Sequence, residues 1–225
     1  MKKVSLIVLS GAILASMISV SAQAKEQLNV RISPEIESVD VVHMGERVKI
    51  QRDKDDGHTI PKLYAKTSRA CPPFCIQPNV AAPGVETIAE LEMLNYLKAA
   101  STDSSVLVID SRTTDWTVRG TIPGSVNIPW TKISTAGEGP WTESDDAPTA
   151  IDIMKDRFGV KADGDKLDFS GAKTLVMFCN GSWCPQSTLN IRALVKKGYP
   201  ADKIKWYRGG MQDWVTLGLT TVTPK

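Results

Sequence analysis

The sequence predicts an α/β protein in which a mostly parallel sheet is covered by helices on both faces and is preceded by a small N-terminal β and irregular extension. Two observations carry this prediction. Residues 106–109 and 175–178 are short continuous apolar runs, which are typical of strands buried on both faces. Segments with the pattern of amphipathic helices alternate with such runs after Gly84, and this alternation favours a parallel sheet.

Residues 1–24 have the pattern of a cleaved secretory signal peptide. Two lysines precede an apolar stretch at residues 4–20, and residues 22–24 (AQA) provide the small residues of a cleavage site. Polar residues interrupt the stretch and a cleavage signature follows it at once, so a retained membrane helix is the less favoured alternative. The sequence therefore predicts a mature protein that begins near Lys25 and is periplasmic or secreted.

The predicted mature chain is formally neutral. The whole sequence has 27 Lys and Arg against 25 Asp and Glu, and the two lysines of residues 1–24 are lost on cleavage, which leaves 25 against 25. Net charge therefore gives no support for a nucleic-acid partner, or for a membrane partner after signal cleavage.

Residues 25–84 are predicted to form an extension with little regular structure. Alternating apolar and polar residues at 39–52 indicate a small β element. Residues 58–85 contain five prolines, too many for regular structure, and are interpreted as an ordered strap or linker. His43 and His58 fall in this extension and are interpreted as surface residues.

The predicted main domain spans residues 85–222 and begins with a helix. Residues 87–90 (TIAE) have a capping-box pattern, in which a Thr hydroxyl and a Glu carboxylate satisfy free backbone donors at a helix start. The apolar face of this helix is predicted to contain Ile88, Leu91, Leu94 and Leu97.

Two further helices are predicted in this domain. One runs from about Thr149 to Phe158 and stops at Gly159, after a loop that contains the glycines and proline of residues 137–140. The other has Pro185 at its first position and a glycine stop at Gly198.

All four cysteines follow the predicted cleavage site and form two close pairs, Cys71 with Cys75 and Cys179 with Cys184. In an exported protein this favours two local disulfides. The spacings differ from the Cys-x2-Cys knuckles of zinc sites, and nothing in the sequence requires a metal or a cofactor. Two prolines stiffen the first pair into a turn, which favours a structural disulfide. Alternatively, the strap lies across the domain and offers a second thiol pair to Cys179.

Cys179 is the candidate nucleophile. It stands at the carboxyl end of a predicted parallel strand and before a tight loop and a helix, which is where open α/β sheets place their ligands. Free backbone N–H groups in the loop and at the helix start favour a thiolate and any anion brought to it. The alternative is a buried thiol that ends a core strand.

Four motifs occur in a fixed order along residues 85–222. They are VLVIDSR at 106–112, GTIPGSVNIP at 120–129, the loop that starts at Cys179, and GGMQDW at 209–214. Together they resemble the rhodanese-like (thiosulfate sulfurtransferase) domain family. The resemblance implies a doubly wound α/β domain, while residues 25–84 lie outside it and inherit nothing.

The resemblance implies covalent catalysis through Cys179. A thiosulfate- or polysulfide-like donor would give its sulfane sulfur to Cys179, and the resulting persulfide would be attacked by a thiol or cyanide-like acceptor. The loop backbone is predicted to hold the persulfide anion without a side-chain base. The residues of this loop are Asn180, Gly181, Ser182, Trp183 and Cys184.

Three residues outside the loop are candidates for supporting roles. Asp110 and Arg112 match the family's Asp-x-Arg element and are predicted to form an ion pair or hydrogen-bond network near the site, with a purely structural pair as the alternative. Arg208 precedes the last motif, where it either faces the loop and attracts an anion or is a solvated arginine.

Two departures from the family pattern leave the function open. The loop is longer than usual and lacks the basic residue that many thiosulfate-using members carry, which puts the donor in doubt. Cys184 is close enough in sequence to resolve a Cys179 persulfide by releasing sulfide and forming a disulfide, and packing alone or pairing with the other cysteines are its alternatives. The alternatives to a sulfurtransferase are a thiol-disulfide or persulfide relay with a periplasmic redox partner, and a noncatalytic binding module.

Overall fold

A computed structural model describes residues 29–134, 149–163 and 166–224. The predicted signal peptide at residues 1–24 and the predicted loop at 137–140 lie outside the described residues. No helix within the described ranges is long and apolar enough to cross a membrane.

Strands and helices alternate through most of the described chain. The strands are β1 (Ser38–His43), β2 (Glu46–Gln51), β3 (Glu86–Ile88), β4 (Val106–Asp110), β5 (Val126–Asn127), β6 (Lys161–Asp163), β7 (Lys166–Asp168), β8 (Thr174–Phe178) and β9 (Ile204–Tyr207). The helices are α1 (Glu90–Ala100), α2 (Thr114–Thr117), α3 (Ala150–Arg157), α4 (Gln186–Lys196) and α5 (Gly210–Thr216), with single 3-10 turns at Trp130–Lys132 and Ala201–Lys203.

The central sheet has five strands in the order β3-β9-β8-β4-β5, and each neighbouring pair is parallel. The apolar runs predicted as buried strands are β4 and β8, which pair from Val106 with Thr174 to Asp110 with Phe178. β1 with β2 and β6 with β7 form separate antiparallel hairpins. Because β8 is the middle strand, the residue after it, Cys179, lies at the centre of the carboxyl edge of the sheet.

Each face of the sheet has its own apolar core. Leu94 of α1 and Trp214 of α5 pack on one face, and Met154 of α3 and Ile191 of α4 pack on the other. Side chains of β8 alternate between these two cores, as expected of a strand covered on both sides. The predicted α/β fold with helices on both faces is confirmed.

The N-terminal hairpin packs onto the face that α1 and α5 cover. Val41 and Ile50 are fully buried in the core of that face. The half-buried His43 accepts a hydrogen bond at Nδ1 from the backbone N–H of Gly124, at 3.1 Å. The interpretation of His43 as a simple surface residue was therefore wrong, because its ring joins the extension to the turn before β5.

The first helix begins later than its sequence pattern indicates. Thr87 lies in β3, where pairing with β9 outweighs the local capping pattern. The helix is instead capped at Ala89, whose N–H donates to the carboxylate of Glu92 at 3.1 Å. The buried face of α1 contains Leu94 and Leu97, as predicted, and also Met93, while Leu91, predicted to face the core, is 45% exposed.

The other two predicted helices are present. Thr149 caps α3 by accepting a hydrogen bond from the N–H of Asp152, and the helix ends before Gly159. Pro185 is the residue before α4 rather than its first residue, and Gly198 follows the end of the helix with a positive φ of 91°. The residues between Cys179 and α4 thus form a strand-to-helix loop, as predicted.

Candidate active site

The backbone of the Cys179 loop is fixed by the start of α5. Met211 N–H donates to the carbonyl oxygen of Cys179 and Gln212 N–H to that of Asn180, both at 3.0 Å. Gly210 has a φ of 55°, and a Cβ at this position would lie 2.3 Å from the Cys179 carbonyl oxygen. Only glycine allows so close an approach, so the GGMQDW motif positions the loop.

The sulfur of Cys179 lies inside a hydrogen-bonded pocket. Its Sγ is 3.1 Å from the hydroxyl of Ser187, in the first turn of α4. The indole N–H of Trp206, which can only donate, already donates to this hydroxyl at 3.0 Å. The Ser187 hydroxyl accepts this bond and keeps its own proton free to donate to the sulfur, which favours the thiolate. The carbonyl oxygen of Cys184, 3.2 Å from the sulfur, accepts the Cys179 proton in the thiol form.

The net effect of these surroundings is a more acidic thiol. Burial by itself raises the pKa of Cys179, which is only 2% exposed. Hydrogen bonds from the Cys184 thiol, from the Ser187 side chain and backbone and from Gly181 N–H outweigh burial and lower the pKa to about 7. Near neutral pH a large fraction of Cys179 is thus thiolate, the reactive form.

Cys184 behaves in the opposite way. Both cysteines of this pair are free thiols in the structure, and Cys184 is fully buried. Burial and the hydrogen bond and negative charge of Cys179 raise the pKa of Cys184 well above its ordinary value. Cys184 therefore remains a thiol, which lies 3.6 Å from Oε1 of Gln186 and contributes to the lowered pKa of Cys179.

Asp110 and Arg112 form a buried ion pair beside the loop. The Arg112 Nε and Nη2 atoms donate to the Asp110 carboxylate at 2.9 and 2.6 Å, and both side chains are fully buried. Nη2 also donates to the carbonyl oxygen of Gly120, and Thr121 donates to Asp110 at 2.7 Å. This network ties the VLVIDSR motif to the GTIPG turn.

The same guanidinium reaches both the loop and the extension. Arg112 Nη1 donates to the hydroxyl of Tyr64 at 3.0 Å and lies 3.5 Å from Oδ1 of Asn180. Arg112 thus helps to position Asn180. It does not offer a free charge to a ligand, because Asp110 already neutralises it.

The strap, residues 58–85, lies across the outer side of the loop. The Gln77 backbone N–H donates to the carbonyl oxygen of Ser182 at 2.8 Å, and its side chain accepts a hydrogen bond from Thr188 of α4. Phe74 packs edge-on against Trp183, with ring centroids 5.6 Å apart. Trp183 in turn donates its indole N–H to Gln212. The strap thus crosses the domain, but its two cysteines are joined in a disulfide and do not offer a second thiol pair to Cys179.

The first cysteine pair belongs to this strap. Cys71 and Cys75 are joined by a disulfide, next to Phe74 and two residues before Gln77. Gln77 also donates from its amide to the carbonyl oxygen of Cys75 at 2.8 Å. The disulfide thus closes the turn that carries the strap's contacts with the loop.

Arg208 holds the strap from the side of the sheet. Its guanidinium donates to the carbonyl oxygens of Gln77 at 2.9 Å and Pro78 at 3.3 Å. It thus neither faces the sulfur nor is merely solvated, because its charge is directed to the backbone of the strap.

Comparison with known proteins identifies the domain that carries this loop. A family model described as the rhodanese-like domain matches residues 93–217, more than half of the chain. The chain belongs to the rhodanese-like domain family.

A solved structure is also similar to this chain. A solved structure from Rhodopseudomonas palustris, described as a protein of unknown function and possible tyrosine phosphatase, is 18% identical; the alignment covers 63% of this chain and 88% of that chain with a TM-score of 0.40. No curated protein matches the chain.

Several residues around the rhodanese-like loop were missed by sequence reasoning. Ser187 contacts the sulfur, Tyr64 contacts the buried arginine, and Gln77 and Phe74 contact the loop. Ser187 follows Cys179 in the same loop-to-helix segment and could have been found as a helix-start hydroxyl. The others lie in an extension outside the family pattern, which gave no signal of where it would dock.

No group of three or more His, Cys, Asp or Glu that could hold a metal occurs within the described residues of this rhodanese-like chain.

Proposed function

We propose that the protein is a sulfurtransferase that moves sulfane sulfur from a thiosulfate- or polysulfide-like donor to a thiol or cyanide-like acceptor through a Cys179 persulfide. Residues 85–222 form the catalytic domain, and residues 1–24 support export to the periplasm or outside the cell. The observation that carries the proposal is the lowered pKa of Cys179, about 7, at the centre of the sheet's carboxyl edge in a rhodanese-like domain.

The first half-reaction loads the sulfur. The Cys179 thiolate attacks the outer sulfur of the donor, a new S–S bond forms, and the donor's S–S bond breaks with its electron pair leaving on sulfite or on a shorter polysulfide. The Ser187 hydroxyl and the Gly181 and Ser187 backbone N–H groups, which lower the pKa of Cys179, stabilise negative charge at the same position.

The second half-reaction transfers the outer sulfur of the persulfide to the acceptor. The acceptor attacks the outer sulfur of the persulfide, and the Cys179–sulfur bond breaks to return the thiolate. Stabilisation of this thiolate also makes Cys179 a good leaving group, because a thiol of lower pKa leaves faster.

The redox-relay alternative requires Cys184 to attack the persulfide as a thiolate. The raised pKa of Cys184 makes this slow at neutral pH. As a thiol, Cys184 instead lowers the pKa of Cys179, which supports a role in stabilising the nucleophile.

Intact-mass measurement after incubation of the reduced protein with thiosulfate tests the proposal. We expect one added sulfur atom in the wild type and in Cys184→Ser, and none in Cys179→Ser. No added sulfur, with a mass that shows a Cys179–Cys184 disulfide, would favour the relay. An unchanged mass in every form would favour the noncatalytic module.

A further inference from the structure

The loop of this protein lacks a basic residue, but the strap brings one to it. The guanidinium carbon of Arg69 lies 3.7 Å from the ring centroid of Trp183, which is a loop residue between the two free cysteines. Trp183 is held in place by Phe74 and Gln212, so the cation stacks on a fixed platform.

The hydrogen-bonding capacity of Arg69 is largely unused. Its Nη2 makes a long contact of 3.4 Å with the carbonyl oxygen of Leu63. Its Nε is buried and has no hydrogen-bond partner among the residues that the structure describes. Across the same described ranges no acidic side chain forms an ion pair with it. Such a cation is arranged for an anion that the residues described by the structure do not supply.

The other two arginines near the loop are committed elsewhere. Arg112 is paired with Asp110, and Arg208 donates to two backbone carbonyls of the strap. Burial lowers the pKa of Arg69, and its contact with Trp183 places the guanidinium beside the loop.

We propose that Arg69 binds the oxyanion end of the sulfur donor and selects donors that carry a sulfonate group, such as thiosulfate, over uncharged ones. This inference rests on the proposed sulfurtransferase function. The planar guanidinium fork matches two sulfonate oxygens, and a sulfonate has a permanent charge that a dialkyl trisulfide lacks. The strap thereby replaces the basic residue that the loop itself is missing.

Single-turnover loading of Cys179 with two donors tests the selection. For Arg69→Ala we expect the concentration of thiosulfate needed for half-maximal loading to rise by about 10- to 100-fold, the value of one charge-assisted hydrogen-bond pair. Loading from a neutral dialkyl trisulfide should be unchanged, and Arg69→Lys should recover only part of the thiosulfate loading.

Arg119→Ala is the matched control. Arg119 also stacks on a tryptophan, Trp116, but this pair lies on and after α2 and is not part of the loop. Loading of Arg119→Ala should equal that of the wild type with both donors. An equal loss with both donors in Arg69→Ala, or no loss with thiosulfate, would overturn the proposal.

A binding measurement separates this proposal from the sulfurtransferase itself. In a Cys179→Ser background no transfer occurs, and equilibrium dialysis with radiolabelled thiosulfate reports the anion site alone. Weaker binding after adding Arg69→Ala supports the anion site even if the wild type fails to load sulfur. Equal binding with and without Arg69 refutes it even if the wild type loads sulfur well.

Discussion

The two cysteine pairs have similar spacing along the chain but opposite chemistry. Cys71 and Cys75 are bonded to each other in a proline-containing turn at the surface. Cys179 and Cys184 are free and buried, and each shifts the pKa of the other in an opposite direction. Spacing alone favoured a disulfide for both pairs.

The difference comes from what surrounds each sulfur. The first pair lies in a turn that is largely exposed, and the disulfide closes that turn. The second pair lies among the Ser187 hydroxyl and backbone N–H groups, which stabilise a thiolate at Cys179. The polar groups around the second pair thus act on its ionisation, which the spacing of the two cysteines along the chain does not reveal.

The largest loss of stability is expected when the buried ion pair between Asp110 and Arg112 is broken. Arg112→Ala leaves the Asp110 carboxylate buried and unpaired and removes the contacts with Tyr64 and Asn180. We expect the free energy of unfolding to fall by about 3 to 5 kcal/mol in chemical denaturation. The exposed Arg119→Ala should change it by less than about 0.5 kcal/mol. A similar small loss for both variants would mean that the buried ion pair contributes little to stability.

The next largest loss of stability is expected at Gly210, whose backbone lies close to the Cys179 carbonyl oxygen. Gly210→Ala puts a Cβ within 2.3 Å of the Cys179 carbonyl oxygen at a φ of 55°, so the loop must move. We expect a loss of roughly 2 to 4 kcal/mol in unfolding free energy, together with a rise in the pKa of Cys179. Gly45→Ala is the matched control, since Gly45 has a φ of 83° but no atom within 4 Å of a Cβ. Its cost should be only the backbone strain of about 1 to 2 kcal/mol.

Removal of the Cys71–Cys75 disulfide tests whether this bond keeps the strap packed over Cys179 and Cys184. The double variant Cys71→Ala/Cys75→Ala should lose about 2 kcal/mol, as the loop-entropy relation gives for so short a ring. We also expect faster alkylation of Cys179 by neutral iodoacetamide, because the turn that carries Phe74 is no longer constrained. The wild type after selective reduction should behave in the same way. An alkylation rate equal to that of the oxidised wild type would show that Gln77 and Arg208 hold the strap without the disulfide.

Sequence reasoning predicted the central domain well because its signals are local. The apolar runs that form β4 and β8 and the caps of α3 and α4 depend on residues within a few positions of each other. The start of α1 was misplaced because Thr87 pairs with a strand more than a hundred residues away. A local pattern gives no information on such a partner.

The candidate site was predicted in part for the same reason. Cys179 could be found from its place after an apolar run and before a helix start. The roles of Tyr64, Arg69 and Gln77 depend on where the strap packs against the domain. The strap is rich in proline and has no hydrophobic periodicity, so its sequence does not show which of its residues face the domain.

The smallest effect is expected on the pKa of Cys179. Ser187→Ala removes one of the hydrogen bonds that lower the pKa of Cys179 to about 7, so the pKa should rise by roughly one unit, equivalent to about 1.4 kcal/mol. A higher pKa means less thiolate at neutral pH. The alkylation rate of Cys179 at pH 7 should thus fall about fivefold and approach the wild-type rate at pH 9.

Ser170→Ala is the control for this change, because the Ser170 hydroxyl bonds only with Asp168 in an exposed turn of the described chain. Its pH profile should match the wild type, with a midpoint of about 7. An unchanged midpoint in Ser187→Ala would mean that Cys184 and the backbone N–H groups set the acidity of Cys179 alone. In that case Cys184→Ala, and not Ser187→Ala, should raise the midpoint, and the contrast between the two cysteine pairs would depend on the second thiol itself.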